Sequence, residues 1–220
     1  MNLHLLLTNL ACADEPERTI NATQLQRFEM MRALFPGTPA SIANSSGLFL
    51  DARYHLDVVR PGLALFGATP NAVAGTLRPA VQLHARVLQI RQIAAGEGVG
   101  YGHDYIADAS RRLATIGVGY ADGWPRSIAN AGAVWFDGHR LPLVGRVSMD
   151  SFTVDVSALP TSVLIEGDFV ELLGPSQSIA DAARYAGTIA YEMLTSLGQR
   201  HQRVYREGAT TEIEPLGREL

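Results

Sequence analysis

The sequence changes character near residue 78, and this change limits the folds that the chain can adopt. Before it, three apolar runs read as strands, with a helical stretch after the first of them: "LHLLLTNLA", "PASIANSS" and "DVVRPGLALFGATP". After it come short alternating segments such as "VQLHARVLQIRQI" and "FVELLG". Strands with helical crossovers predict parallel βαβ units, whereas short alternating strands predict an antiparallel sheet. We therefore expect an α/β part at residues 1–78 and an all-β domain at residues 79–220.

The α/β part is too short to be a complete barrel. A (β/α)₈ barrel needs about 250 residues, so this segment predicts part of a TIM-type barrel. The first apolar run is continuous, which is typical of a buried parallel strand. Asn21 is the expected N-cap of the following helix, with Gln24 three residues later. Apolar residues near helical spacing give this helix an apolar face: Leu25, Phe28, Met31 and Phe35.

Turn and cap signals organise the second part of the chain. Asp137-Gly138 is a hairpin signal inside "AVWFDGHRLPLVG", and residues 166–168 form a turn before the last strand. One helix is expected from Ser178 to about Tyr185. A second, within "IAYEMLTSLG", is expected to end on Gly198 as its C-cap.

Composition excludes several classes of function. The net charge is −4 and the arginines are scattered, so no basic stripe is available for nucleic acid. A single cysteine, Cys12, suits the cytoplasm. The N-terminal run is short and polar-interrupted, which favours a strand over a signal peptide or membrane span. No metal site is expected, because five of the six histidines are dispersed without ligand spacing: His4, His55, His84, His139 and His201.

All eighteen basic residues are arginines, and the chain contains no lysine. A guanidinium is not an amine nucleophile and cannot form a Schiff base. Lysine-dependent covalent chemistry therefore requires an amine from outside these residues.

Two local motifs leave alternatives open. In "EGVGYGHDY", glycines flank Tyr101 and permit a sharp turn that aims the phenol into a cleft, or the tyrosine simply packs at a strand end. A phenol with a pKa of about 10 needs nearby cations to act as a base at neutral pH. "ANSSG" at residues 43–47 is either a phosphate cradle or an ordinary loop.

Seven motifs together resemble the alanine racemase family of fold-type III pyridoxal-phosphate (PLP) enzymes. In family order they are "ACADEP", "ANSSG", "VVRPGLALFG", "VGYGHDY", "IGVGYADGWPR", "GRVSMD" and "IAYEMLTSLG". The match runs across essentially the whole chain. The resemblance implies the last part of the family's barrel followed by its complete C-terminal β domain.

The resemblance also implies roles for individual residues. Tyr101 matches the catalytic tyrosine, and Arg60 matches the arginine that faces the pyridine nitrogen of PLP and keeps it unprotonated. The other positions match those that hold the PLP phosphate (Ser45, Gly62, Leu63 and Tyr191), the substrate carboxylate site (Met149, with Asp150 beside it) and the entrance corridor (Asp14, Tyr120, Arg126 and Arg146).

The implied activity is the interconversion of L- and D-alanine, which supplies D-alanine for peptidoglycan. The family's sites are shared between the subunits of a homodimer. Two departures qualify this activity: the cofactor lysine is absent, and Asn9 stands where the family has a histidine that bonds the tyrosine. A neutral asparagine can still form a hydrogen bond, but it carries no positive charge that would lower the pKa of the tyrosine. The chain is thus either an enzyme part that needs a separate N-terminal barrel half, or a non-catalytic remnant or binding module.

Overall fold

The computed structural model describes residues 2–206, and the end of the expected second domain, residues 207–220, lies outside them. The chain divides into two compact units between Val81 and Gln82. Each unit has its own hydrophobic cluster. Within residues 2–206, no helix is long and apolar enough to cross a membrane.

The first unit is a small α/β arrangement. Its elements are β1 (Leu6–Leu7), α1 (Ile20–Arg32), β2 (Ala40–Ser41) and α2 (Ser45–Leu48). The two strands are parallel, with Leu6 opposite Ala40, so the helix between them makes a βαβ crossover. Their shared core is apolar and consists of Leu10, Ala13, Leu25, Phe28, Ala40, Ile42 and Tyr54.

Two strand predictions for this unit are wrong. The first apolar run pairs over two residues only, and Leu7 is 55% exposed, so it is not a continuous buried strand. The expected third strand is instead a 3₁₀ helix at Leu63–Phe66. Pro61 has no N–H to donate to a ladder, and the Leu65 N–H donates to the Gly62 carbonyl three residues back.

The expected cap of α1 is also wrong. The helix begins at Ile20 with Thr19 as its N-cap residue, which places Asn21 inside the first turn. The buried Asn21 side chain donates to the Cys12 and Glu15 carbonyls at 3.0 and 3.1 Å. It therefore fastens the preceding loop to the helix. On the expected apolar face Leu25 and Phe28 are buried, but Met31 and Phe35 are exposed.

The second unit contains a closed barrel of six antiparallel strands in the order β10-β3-β6-β9-β8-β7. The strands of this unit are β3 (Leu83–Ile93), β4 (Gly98–Val99), β5 (Tyr105–Ile106), β6 (Arg111–Ile116), β7 (Ala133–Phe136), β8 (His139–Val144), β9 (Phe152–Asp155) and β10 (Phe169–Leu173). Strands β4 and β5 form a separate two-stranded sheet. The expected antiparallel β domain is confirmed, and its closure leaves the barrel without a free edge.

Alternating strand residues fill the barrel interior. Trp124 is fully buried and stacks on Phe152, with ring centroids 6.4 Å apart.

The hairpin between β7 and β8 turns at Asp137 and Gly138, both at positive φ, as the sequence predicts. This turn sets the register in which Phe136 faces His139.

Two helices follow the barrel: α3 (Ile179–Ala186) and α4 (Ala190–Ser196). Ser178 caps α3 by accepting the Asp181 N–H, which confirms that helix start. The expected Gly198 C-cap is wrong, because α4 ends at Ser196 and its C-cap residue, Leu197, is extended.

Candidate functional site

The first unit gathers hydrogen-bond donors around the Ser45 hydroxyl. Ser45 opens α2, four residues after β2 ends at Ser41, and it is 1% exposed. Its Oγ accepts the Gly62 N–H at 2.8 Å and the Ala64 N–H at 3.2 Å. The Ser45 hydroxyl therefore satisfies both backbone N–H groups, and a phosphate bound here would take over bonds from these donors.

Arg60 lies in the same unit and is held entirely by neutral acceptors. Its guanidinium donates to the Ser41 hydroxyl at 2.5 Å, the Thr8 carbonyl at 2.8 Å and the Asn9 Oδ1 at 3.2 Å. The Arg60 N–H bonds the Ala43 carbonyl at 2.9 Å, which fixes the backbone beside the Ser45 loop. None of these partners offsets the positive charge of the guanidinium.

In the second unit, the turn between β4 and β5 presents Tyr101. Gly100 and Gly102 flank it at φ of 72° and 74°, in the left-handed region that favours glycine. The Tyr101 side chain is 73% exposed, so it is not the packed strand-end aromatic of the alternative interpretation. A Cβ added at Gly102 would lie 3.3 Å from the Arg146 Nη1.

Asp104 connects this turn to the loop that carries Arg146. One Asp104 oxygen pairs with the Arg146 Nη2 at 3.1 Å, and the other accepts from the Asn130 Nδ2 at 3.1 Å. The Asn130 Oδ1 in turn accepts the Gly145 N–H at 2.7 Å. Asp104 therefore holds the Arg146 side chain directly. It also holds the Gly145 backbone through Asn130.

A second loop pair brings Tyr120 beside Met149. The Tyr120 N–H donates to the Ser148 carbonyl at 3.1 Å, and the Ala121 N–H donates to the Met149 carbonyl at 2.9 Å. A Cβ at Gly119 would meet the Met149 oxygen at 2.3 Å, so this contact requires glycine. Tyr120 and Met149 both remain substantially exposed.

Asp122 is a buried anchor within this loop pair. Its Oδ2 accepts the Gly119 N–H at 2.8 Å, and its Oδ1 pairs with the Arg200 Nε at 3.2 Å. The Arg200 Nη2 also contacts the Asp150 Oδ1 at 2.6 Å. The hydrogen bond to Asp150, followed by the charge of Asp122, raises the pKa of Arg200 above its usual value.

The remaining site residues of the sequence prediction are distributed as follows. Leu63 is buried, and its backbone lies in the 3₁₀ turn between the Gly62 and Ala64 N–H groups. Tyr191 is 42% exposed on α4. Asp14 and Arg126 are exposed, each within its own unit.

Sequence reasoning missed Asp104, Asn130, Asp122 and Arg200. The "GYADGW" motif contained one signal for Asp122, because a side-chain oxygen three residues into a helical turn can accept the N–H of the N-cap residue, as in a capping box. Asn130 lies at a positive φ of 58°, which Asn tolerates better than most residues. No sequence pattern indicates a role for Arg200, because it is distant from Asp122 along the chain and contacts it only in the folded structure.

The residues of the first unit fit PLP in two respects. The donors around Ser45 suit its phosphate, and the uncompensated Arg60 suits a ring nitrogen that stays unprotonated. The covalent attachment does not fit, because the sequence has no lysine. Within residues 2–206, no group of three His, Cys, Asp or Glu residues could hold a metal ion.

Two family models match the chain in sequence order. The alanine racemase N-terminal domain matches residues 1–70, and the alanine racemase C-terminal domain matches residues 80–205. The matched relatives include a catabolic alanine racemase of Mesorhizobium japonicum, 54% identical over 209 residues. That alignment covers 94% of this chain and 54% of the relative. An alanine racemase of Brucella abortus is 45% identical over 219 residues, covering 93% of this chain and 55% of the relative.

Solved structures give the same result. The alanine racemase of Bartonella henselae, with covalently bound pyridoxal phosphate, superposes with a TM-score of 0.87 at 43% identity, covering 92% of this chain and 56% of that one. A biosynthetic alanine racemase from Pseudomonas aeruginosa gives 0.84 at 37% identity, covering 94% and 58%. The chain therefore spans about half the length of its relatives, and by the family models and by these similarities it belongs to the alanine racemase family.

Proposed function

We propose that this chain forms the tyrosine-bearing part of a PLP-dependent alanine racemase, an isomerase that interconverts L- and D-alanine. The observation that carries the proposal is the Tyr101 turn. Its phenol is exposed between two left-handed glycines, and Asp104 and Arg146 fix the turn to the neighbouring loop. Such a turn keeps a proton-transfer group accessible and holds its backbone in one geometry.

The proposed roles rest on the positions of this chain that match the motifs of the family. The Ser45 hydroxyl, the backbone of Gly62 and Leu63, and the Tyr191 hydroxyl would hold the PLP phosphate, while Arg60 would face the ring nitrogen. When bound, PLP supplies the electron-withdrawing group that acidifies the α-proton of alanine.

The other roles lie in the second unit. Tyr101 would move the α-proton on one face of the substrate. Met149 would receive the substrate carboxylate, with Asp150 beside it at the substrate-binding site. Four residues match the entrance corridor of the family: Asp14, Tyr120, Arg126 and Arg146.

Racemisation needs a second base on the opposite face. Because the chain has no lysine, this base and the covalent attachment of PLP would come from residues outside these 220. We propose that residues 1–78 belong to a (β/α)₈ barrel completed by a lysine-bearing N-terminal half. We also propose that residues 79–220 present Tyr101 and Met149 to the cofactor of the partner subunit in a homodimer.

Two physiological roles fit a reversible racemase. D-alanine made in the cytoplasm would supply peptidoglycan synthesis, which is the role that the family resemblance implies. The relatives from Mesorhizobium japonicum and Agrobacterium fabrum, 54% and 48% identical, are described as catabolic alanine racemases. For this chain a catabolic role is the second candidate, and growth with D-alanine as the nitrogen source discriminates between the two.

Complementation tests the activity. The full chain is mixed with PLP and with the lysine-bearing N-terminal half of the Mesorhizobium japonicum relative, and D-alanine formed from L-alanine is separated by chiral chromatography. We expect racemisation by the mixture and none by either part. Tyr101→Phe should lower the rate about 10²–10⁴-fold, the usual contribution of a general acid–base group.

Tyr205→Phe is the matched control, because Tyr205 is also exposed, at 83%. Its rate should equal that of the unsubstituted chain. If the two parts associate and bind PLP but do not racemise alanine, the chain is a non-catalytic binding module and the proposal is wrong.

A further inference from the structure

Arg200 joins two carboxylates from different loops. Its Nε lies 3.2 Å from the Asp122 Oδ1 and its Nη2 lies 2.6 Å from the Asp150 Oδ1. Asp122 is largely buried, with 12% of its side chain exposed, whereas 59% of the Asp150 side chain is exposed. The guanidinium therefore connects a fixed carboxylate to one at the surface.

Asp122 is fixed because each of its acceptors is engaged. Oδ2 accepts the Gly119 N–H at 2.8 Å, Oδ1 contacts Arg200, and the backbone carbonyl accepts from the His201 Nε2 at 2.7 Å. A carboxylate held at both oxygens orients the planar fork of an arginine bonded to it. The position of the Arg200 Nη2 is thereby determined from the buried side.

The surface end of this connection is the loop proposed to receive the substrate carboxylate. Asp150 follows Met149 directly, and the Met149 carbonyl accepts the Ala121 N–H at 2.9 Å. An ionised Asp150 without a partner would repel an incoming carboxylate. Arg200 offsets this charge and draws the Asp150 side chain toward Asp122.

We propose that Arg200 is a positioning residue that holds the Met149–Asp150 loop on the Tyr120 turn and screens the Asp150 charge from the substrate carboxylate. The screening role rests on the proposed racemase function. The holding role rests on the contacts of Arg200 alone, so the two are tested separately.

Amide hydrogen exchange in the full chain tests the holding role. In Arg200→Gln the Ala121 and Tyr120 N–H groups, which bond Met149 and Ser148, should exchange at least tenfold faster. Arg200→Lys should give an intermediate rate, because an ammonium keeps the charge but loses the fork. Barrel amides such as Val87 report whether each variant is folded.

Arg203→Gln is the matched control, since Arg203 lies in the same segment and donates to the Gly198 carbonyl at 3.3 Å. It should leave the exchange of Ala121 unchanged. Unchanged exchange of Ala121 in folded Arg200→Gln would overturn the holding role.

Steady-state kinetics of the complemented enzyme test the screening role. Arg200→Gln should raise the KM for alanine about fivefold with little change in kcat, since an unscreened charge near 4 Å in water has about that effect. Adding Asp150→Asn to Arg200→Gln should bring the KM back down, because the repelling charge is removed. A purely structural role would not show this rescue.

An unchanged KM in Arg200→Gln, or no rescue by Asp150→Asn, would overturn the screening role. If the unsubstituted complemented enzyme is inactive, the proposed function fails and the screening role fails with it. Amide exchange in the chain alone then still decides the holding role.

Discussion

The Arg146 Nη2 and the Asp104 Oδ1 lie 3.1 Å apart, and Arg146 also packs against Gly102, the residue after Tyr101. The pair is partly exposed, with 41% and 36% of the two side chains accessible. Exposed ion pairs contribute about 0–1 kcal/mol to stability. The pair therefore contributes little to stability, and its effect is to fix the local backbone geometry of the Tyr101 turn.

Removing the Asp104 carboxylate should loosen this turn without unfolding the domain. In Asp104→Ala the His103 N–H, which donates to the Gly100 carbonyl at 3.2 Å, should exchange faster, while the free energy of unfolding changes by less than about 1 kcal/mol. Asp108→Ala is the control, because it removes an exposed pair with Arg111 in a different loop. Equal effects of both variants on the exchange of the His103 amide would contradict this assignment.

A methyl group at Gly119 should strongly destabilise the second unit. The new Cβ would lie 2.3 Å from the Met149 and Ser148 carbonyl oxygens, both of them rigid backbone atoms. Relieving such a clash typically costs about 1–3 kcal/mol. Urea unfolding of Gly119→Ala measures the loss, and Gly198→Ala, with no atom within 4 Å of its new Cβ, should be near neutral.

Sequence patterns predicted elements whose bonds are local. The Asp137-Gly138 hairpin and the Ser178 cap were predicted because each depends on neighbouring residues. The expected strand at Leu63–Phe66 failed because three-residue backbone bonding after Pro61 and Gly62 competes with sheet pairing.

The same distinction applies to the candidate site. Ser45 and Tyr101 lie in recognisable loops, so motif comparison located them. Arg200 reaches Asp122 and Asp150 across 78 and 50 positions of the chain, and no periodicity encodes such a contact. Residues that position others are therefore the ones that sequence reading missed.

Ser45→Ala should destabilise the first unit. The hydroxyl is buried and accepts the Gly62 and Ala64 N–H groups, which would lose their acceptor. Leaving buried donors unsatisfied costs about 1–3 kcal/mol each. Thr23→Ala on α1 is the control and should be neutral or slightly stabilising, since alanine is the better helix former. Equal unfolding midpoints for Ser45→Ala and the unsubstituted chain would contradict the role of this hydroxyl.

The stability of the second unit should fall as the pH falls, because burial keeps His84 neutral in the folded state while the unfolded chain takes up a proton there. Burial lowers the pKa of His84 below its usual value of about 6.5, the Glu171 carboxylate opposes this shift, and Arg206 adds to it. Between the folded and unfolded pKa values the unfolded chain binds more protons, so stability decreases as pH falls below about 6.5.

Unfolding of His84→Gln at pH 7.5 and at pH 5.5 measures this contribution. The variant should lose less stability over this interval than the unsubstituted chain. His139→Gln is the control because His139 is exposed. A steeper loss in His84→Gln would reverse the sign of the argument.

Replacing Asn9 by the histidine of the family should introduce a titrating group beside Arg60. The Asn9 Oδ1 accepts from the Arg60 guanidinium at 3.2 Å, so an imidazole there would contact a permanent cation. A neighbouring positive charge disfavours the imidazolium and lowers the pKa of the new histidine below about 6.5. NMR titration of Asn9→His gives this pKa. A pKa at or above the ordinary histidine value of about 6.5 would show that the Arg60 guanidinium does not face position 9 in solution.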